Sequence, residues 1–253
     1  MDTFFSPTAN CRVRWLDLPG NGVPLVFVHG LGCASSCEYP RVVIDSAFAG
    51  RRAILIDLPG YGYSEKPKDY RYTIADQAQV VVQLVAHLNL QRFFLYGHSM
   101  GGSIAIEAAT SMADKLCGLL LSEPNFHPGG GFFSRQICSV SEESWVANGH
   151  HATVENETSA WAASLSVAAP EAVWRGANDL IKGNDWMTLF RQLTVAKCLI
   201  FGEQSLPDAD FSALRAMGID TRVLADCGHS MSWENPSALA GALSDFCLKN
   251  ERQ

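Results

Sequence analysis

Apolar and polar positions alternate along this chain in blocks. Short runs rich in Val, Ile, Leu and Phe recur at Pro24–Val28, Ala53–Ile56, Arg92–Tyr96, Gly118–Leu121, Lys197–Phe201 and Thr221–Leu224. Each is too short for a helix and suits a strand buried on both faces of a parallel sheet. Helical patterns lie between them. Over Thr73–Leu90 the residues Ile74, Ala78, Val81, Val82, Val85 and Leu88 follow a 3.6-residue period, with Thr73 placed as N-cap and Asp76 at the capping-box position. Met100–Lys115 and Ser237–Lys249 read as further helices. This alternation predicts an α/β fold, a doubly wound and mostly parallel sheet. Before the first central strand, Cys11–Leu18 and the "LPGNGVP" turn suggest an antiparallel hairpin at one edge.

From Pro124 to about Arg191 no buried strand appears. A Pro/Gly-rich turn, "PNFHPGGG", opens this stretch, and amphipathic pieces studded with Phe132, Phe133, Trp145, Trp161, Trp174 and Trp186 follow. The expected organisation is a core made of residues 1–123 and 192–253, with residues 124–191 inserted as a helical lid over the C-terminal edge of the sheet.

The 253 residues suffice for one large domain, and 47% hydrophobic with 18% charged residues excludes a disordered chain. A net charge of −7, with no basic run longer than Arg51-Arg52, argues against nucleic acid or an anionic membrane as partner. The segment MDTFFSPTANCRVRW lacks the basic and apolar regions of a signal peptide. The eight cysteines show no framework spacing, and Cys33 with Cys37 has no second pair to complete a zinc site, so reduced thiols in the cytoplasm are expected. His150-His151 with Glu155 reads as loop, and no metal or organic cofactor is implied.

The segment "FFLYGHSMGG" (93–102) carries chemistry. It holds Gly97-His98-Ser99-Met100-Gly101, a G-x-S-x-G between an apolar strand and a small-residue helix. A Ser on a tight strand-to-helix turn needs glycines two residues away on either side, because a Cβ there would collide with neighbouring chain. The helix then aims free backbone N–H groups at the reacting centre. Ser99 is read as a nucleophile rather than a structural turn residue.

Three other segments fall into register with it: "LVFVHGLG" (25–32), "LIDLPGYGYS" (55–64) and "LADCGHSMSWENP" (224–236). In this order and spacing the four resemble the α/β-hydrolase family over essentially the whole chain, closest to its small lidded esterases, thioesterases and C–C bond hydrolases. The resemblance implies that His229 is the general base and that the backbone N–H groups of Leu31 and Met100 form an oxyanion hole. It implies bracing roles for His29 and His98 and a turn-shaping role for Asp57.

The family usually sets its acid near the end of the strand before the last, in a pattern such as G-E-x-D. Here that pattern is Gly202-Glu203-Gln204-Ser205, with Ser where Asp is expected. Three carboxylates compete for the role. Glu203 sits in the turn itself. Asp208 lies three residues beyond Ser205, where it also suits a helix cap. Glu123 ends the strand after the nucleophile helix, the position some haloalkane dehalogenases use. Neighbouring parallel strand ends can reach the same face of an imidazole, so Glu123 is preferred, with Asp208 as the alternative.

A Ser nucleophile argues against the family's epoxide hydrolases and dehalogenases, which carry Asp at the elbow. It points to hydrolysis of an ester, thioester or activated C–C bond in a small, mainly apolar substrate, with Phe126, Phe132, Trp145 and Met231 as candidate pocket residues. One rival is a weakly catalytic or non-catalytic small-molecule binding protein, like some hormone receptors of this fold. The other is a lyase, for which Lys182 is the single lid lysine. A monomer or homodimer is expected.

Overall fold

In the computed structural model, which describes residues 1–251, each apolar run named above falls on a strand. The chain begins with β1 (Asp2–Ser6), β2 (Cys11–Leu18) and β3 (Asn21–Val28), and short helices α1 (Ser35–Glu38) and α2 (Pro40–Val43) precede β4 (Arg51–Asp57). Helix α3 (Ile74–His87), β5 (Phe93–His98), α4 (Met100–Thr110) and β6 (Leu116–Ser122) follow. The chain then leaves the sheet for α5 (Phe132–Ile137), α6 (Glu142–Ser144), α7 (His150–Asn156), α8 (Trp161–Ser166), α9 (Pro170–Lys182) and α10 (Trp186–Gln192). It returns through β7 (Ala196–Gly202), α11 (Ala209–Ala216), β8 (Asp220–Leu224), α12 (Met231–Glu234) and α13 (Pro236–Asn250).

The eight strands form one sheet in the order β1-β2-β4-β3-β5-β6-β7-β8. Strands from β4 through β8 run parallel, while β2 pairs antiparallel with both β1 and β4. The expected hairpin therefore needs correction: β2 turns back on β1, not on β3. Residues Asn21–Val28 instead enter the middle of the sheet, where both backbone edges of β3 find parallel partners in β4 and β5. Strand β8 also departs from the expected double burial. It is the last strand, and its Val223 is left 45% exposed.

Side chains on the central strands alternate between two cores, as the two-residue pleat requires. Leu25, Phe27, Leu55, Phe94, Tyr96 and Leu120 pack against helices α2 and α13 on one face. Val26, Val28, Ile56, Leu95, Leu119 and Leu121 pack against α3, α4 and the helices after β6 on the other. Thr73 caps α3, its Oγ1 accepting from Asp76 N–H at 3.1 Å. Helix α4 stops at Thr110, earlier than its sequence pattern suggests, and residues 111–115 turn into β6.

The helical insertion is tied to the core at several points. Ala169 N–H donates to Gly60 O at 2.8 Å and Tyr61 Oη to Ala172 O at 2.9 Å. Trp186 Nε1 donates to Glu107 Oε1 at 2.7 Å. Within the insertion, Arg175 is engaged with Glu142, and it reaches the core through the Lys68 and Tyr70 carbonyls. Among the described residues no helix is long and apolar enough to cross a membrane.

Candidate active site

Ser99 sits where β5 turns into α4 with φ 53° and ψ −121°. A side-chain-bearing residue there is strained, at a cost on the order of 1–3 kcal/mol. The turn is held by Ser99 N–H donating to Ser122 O at 2.9 Å and Gly102 N–H to Ser99 O at 2.8 Å. The flanking glycines are sterically required. A Cβ at Gly97 would come within 2.3 Å of Gly101 O, and one at Gly101 within 2.4 Å of the Val28 and His29 carbonyls. Ser99→Gly should therefore remove the strain as well as the hydroxyl. Thermal unfolding is expected to rise by roughly 2–6 °C, and a lower melting temperature would contradict the assignment of strain to this residue.

One strand away, Glu123 follows β6 and also adopts a positive φ, 40°, with its N–H donating to Ile200 O at 3.1 Å. Its carboxylate reaches across the sheet edge. Oε2 accepts from His229 Nδ1 at 2.7 Å and Oε1 from Gly202 N–H at 3.0 Å. The Glu123 side chain is 8% exposed, against 44% for His229. Burial pulls its pKa up, but the hydrogen bond and charge of His229, the Gly202 N–H and the Ser205 hydroxyl together hold it below the ordinary carboxylate value. It is thus a carboxylate at neutral pH. The stability it gains from these partners is present above the unfolded carboxylate pKa and is lost as pH falls through the lowered folded value.

The other carboxylates are engaged elsewhere. Asp208 Oδ1 accepts from Phe211 N–H at 2.7 Å and caps α11. Glu203 Oε2 accepts weakly from Asp226 N–H at 3.4 Å. Ser205 stands beside Glu123 as a neutral neighbour, where an Asp would set a second negative charge against it.

Histidines brace the site from behind. His29 is fully buried, with Nδ1 donating to Gly30 O at 2.9 Å and Nε2 accepting from Leu58 N–H at 3.1 Å. These two bonds fix a neutral tautomer, and burial pushes its pKa down. His98 shares a 2.9 Å hydrogen bond with Ser122 Oγ, and its ring lies 4.7 Å from that of His229. Burial first, and then the neighbouring His229 charge, lowers its pKa to about 3, so it stays neutral. Asp57 accepts from Ser36 N–H, Ser36 Oγ and Tyr63 N–H, which closes the turn after β4.

A cavity of about 410 Å³ opens over these groups. Ser99, Glu123 and His229 line it, with Leu31, Phe133 and Trp161 among the residues around them. Met100 is 1% exposed and outside the lining, and its N–H lies in the first turn of α4. Among the described residues Ser99 Oγ makes no hydrogen bond within 3.5 Å, and such contacts commonly tighten only when substrate is bound.

Of the four candidate pocket residues, Phe132 lines the cavity and the other three do not. Phe126 is buried against Phe190 at a ring distance of 5.4 Å. Trp145 is buried inside the insertion, its Nε1 donating to Pro170 O at 3.1 Å. Met231 points into the core beneath α12, packed with Leu239 and Leu243, while Ser230 and Trp233 face the cavity. For Trp145 and Met231 helix phase turns the side chain into packing, whereas Phe126 is placed by the segment between β6 and α5. Sequence reasoning passed over Cys33, Glu38, Asn125 and Trp233 as lining residues. Two signals were available: Trp233 stands four residues after His229, and Asn125 two after Glu123.

His150 is bound to Leu165 O and His151 pairs with Glu155 on the surface. No cluster of three or more His, Cys, Asp or Glu suited to a metal occurs among the described residues.

Residues 23–133 match a family model described as alpha/beta hydrolase fold. A stretch of 118 residues, 46% of the chain, is 32% identical to haloalkane dehalogenase 2 of Mycobacterium tuberculosis and spans 40% of that protein's length. Over 90% of the chain and 96% of its own length, 2-succinyl-6-hydroxy-2,4-cyclohexadiene-1-carboxylate synthase of Salmonella typhimurium is 27% identical. Among solved structures, a thermophilic esterase from Thermogutta terrifontis superposes with a TM-score of 0.81 at 21% identity, covering 99% of this chain and 98% of its own.

Proposed function

Because the chain has the α/β-hydrolase fold and its residues 23–133 match that family's model, we propose that it is a serine hydrolase acting on an ester, thioester or activated C–C bond of a small, mainly apolar molecule. The carrying observation is the 2.7 Å bond from His229 Nδ1 to Glu123 at the edge of a cavity that Ser99 shares. In this reading His229 Nε2 takes the Ser99 proton as Oγ attacks the substrate carbonyl. The oxyanion forms against the N–H groups of Met100 and Leu31. For an ester or thioester the intermediate collapses to an acyl-enzyme, His229 returns the proton to the leaving group, and water then repeats the sequence. Glu123 keeps Nδ1 protonated and stabilises the imidazolium. No metal or organic cofactor takes part in these steps.

The test is hydrolysis of p-nitrophenyl acetate and butyrate by wild type and Ser99→Ala. Turnover by wild type that disappears with Ser99 is the expected result; equal rates in the two would overturn the reading and favour a binding protein. The eight free cysteines suit a reducing, cytoplasmic compartment.

In this proposal the insertion acts as a lid that also sets the oxyanion loop. Trp161 Nε1 donates to Leu31 O at 2.9 Å. Beneath the indole, Gly32 has φ +69°, and a Cβ there would come within 2.7 Å of Trp161 Nε1. Gly32→Ala should therefore displace the loop and lower kcat/KM by about 100-fold, since a shift near 1 Å at a reacting centre has that consequence. Trp161→Phe, which loses one hydrogen bond, should cost about tenfold or less. The same ester assay ranks the two variants, and equal effects would detach the indole from the loop.

A further inference from the structure

One ionisable group in the cavity wall has no task in this chemistry. Glu38 ends α1, just beyond the oxyanion loop, and is 4% exposed. It lines the same cavity as Ser99 and His229. Its Oε1 accepts from Ser232 Oγ at 2.7 Å, and its Oε2 makes no hydrogen bond of good geometry among the described residues, the Cys33 thiol beside the carboxyl being only a weak donor. Asn125 also lines the cavity, and its Oδ1 too is buried without a partner among the described residues. The wall beside the nucleophile thus carries two unmet hydrogen-bonding atoms. Each is costly to leave unmade in the absence of something that meets it.

We propose that Glu38 is a specificity-determining residue whose carboxylic acid donates a hydrogen bond to an oxygen acceptor on the substrate, remote from the scissile carbonyl. This rests on the serine-hydrolase reading and narrows it. The substrate class becomes acyl compounds bearing a second oxygen function, such as a keto or ether group. Chemistry supports the donor assignment. Burial raises the Glu38 pKa, and the Ser232 and Cys33 contacts and the His229 charge offset only part of that. Oε1 already accepts a hydrogen bond, which leaves Oε2 to carry the proton. The terminal torsion of Glu is broad and roughly two-fold, so the O–H can reorient without a change of the other side-chain torsions. A buried carboxyl with one oxygen unmet and no salt-bridge partner among the described residues favours its protonated form, and a carboxylic acid is a strong and directional donor.

The test compares p-nitrophenyl hexanoate with its 4-oxo and 5-oxo analogues, corrected for their spontaneous hydrolysis, in wild type, Glu38→Gln, Glu38→Leu, Glu38→Met and Ser99→Ala. Wild type should prefer at least one oxo ester by about tenfold or more in kcat/KM, largely through KM. Glu38→Leu and Glu38→Met should bring that ratio close to one. Glu38→Gln, which keeps an N–H donor, should retain most of it. A merely structural Glu38 would lower all three esters in parallel, and that result overturns the inference. So does a wild type without an oxo preference. Ser99-dependent turnover with an unchanged ratio defeats this inference alone, whereas absence of Ser99-dependent turnover of every ester defeats the hydrolase reading together with it. Two apolar substitutions keep the decision from depending on the folding of either.

Discussion

Ser99→Ala is expected to lower kcat/KM toward p-nitrophenyl butyrate by about 10⁵- to 10⁶-fold, the range reached when a nucleophile is removed from a Ser–His–acid unit. The position of Ser99 is the reason. Ser99 is held on a strained turn at the mouth of α4, with glycines at 97 and 101 that no other residue could replace without backbone collision. Strain at that level persists where the surrounding structure over-determines it, which is characteristic of reacting groups. His229→Ala should cost nearly as much. The double variant should lie within about threefold of Ser99→Ala alone, because residues that act as one unit do not contribute additively. Multiplying effects in the double variant would mean that the two side chains act separately.

Glu123→Gln is expected to reduce kcat by about 10⁴-fold while thermal unfolding stays cooperative. The amide can still meet His229 Nδ1, yet it supplies no negative charge to the imidazolium and can present its NH₂ to the ring and favour the wrong tautomer. Asp208→Asn should change kcat by less than about twofold, since Asp208 is engaged with the Phe211 N–H as the cap of α11. The contrast between the two variants decides which strand bears the acid. A large loss with Asp208→Asn and a small one with Glu123→Gln would return the acid to the later strand.

The strands were legible because a sheet covered on both faces writes uninterrupted apolar runs, and the turn at Ser99 was legible because its glycines are sterically compelled. Edge behaviour was not. Nothing in Cys11–Leu18 says that its partner is β1 rather than β3, since antiparallel pairing with either satisfies the same pattern. The pairing of Glu123 with His229 could be anticipated from a Ser at 205 and a Glu at a neighbouring strand end. The cavity wall was the hardest part to read. Trp145 and Met231 look like pocket residues by composition, but the rotation of their helices turns them into packing. Glu38 shows the converse: an acidic residue in a four-residue helix reads as surface until the helix is seen docked beneath the active site.

The decisive measurement is the rate of covalent labelling by a small fluorophosphonate, followed by intact mass, on wild type, Ser99→Ala, Glu123→Gln and Asp208→Asn. The expected outcome is rapid formation of a single adduct on wild type and on Asp208→Asn. Ser99→Ala should form none, and Glu123→Gln should react at least about 100-fold more slowly. A wild type that labels no faster than Ser99→Ala would contradict a working Ser99–His229–Glu123 unit.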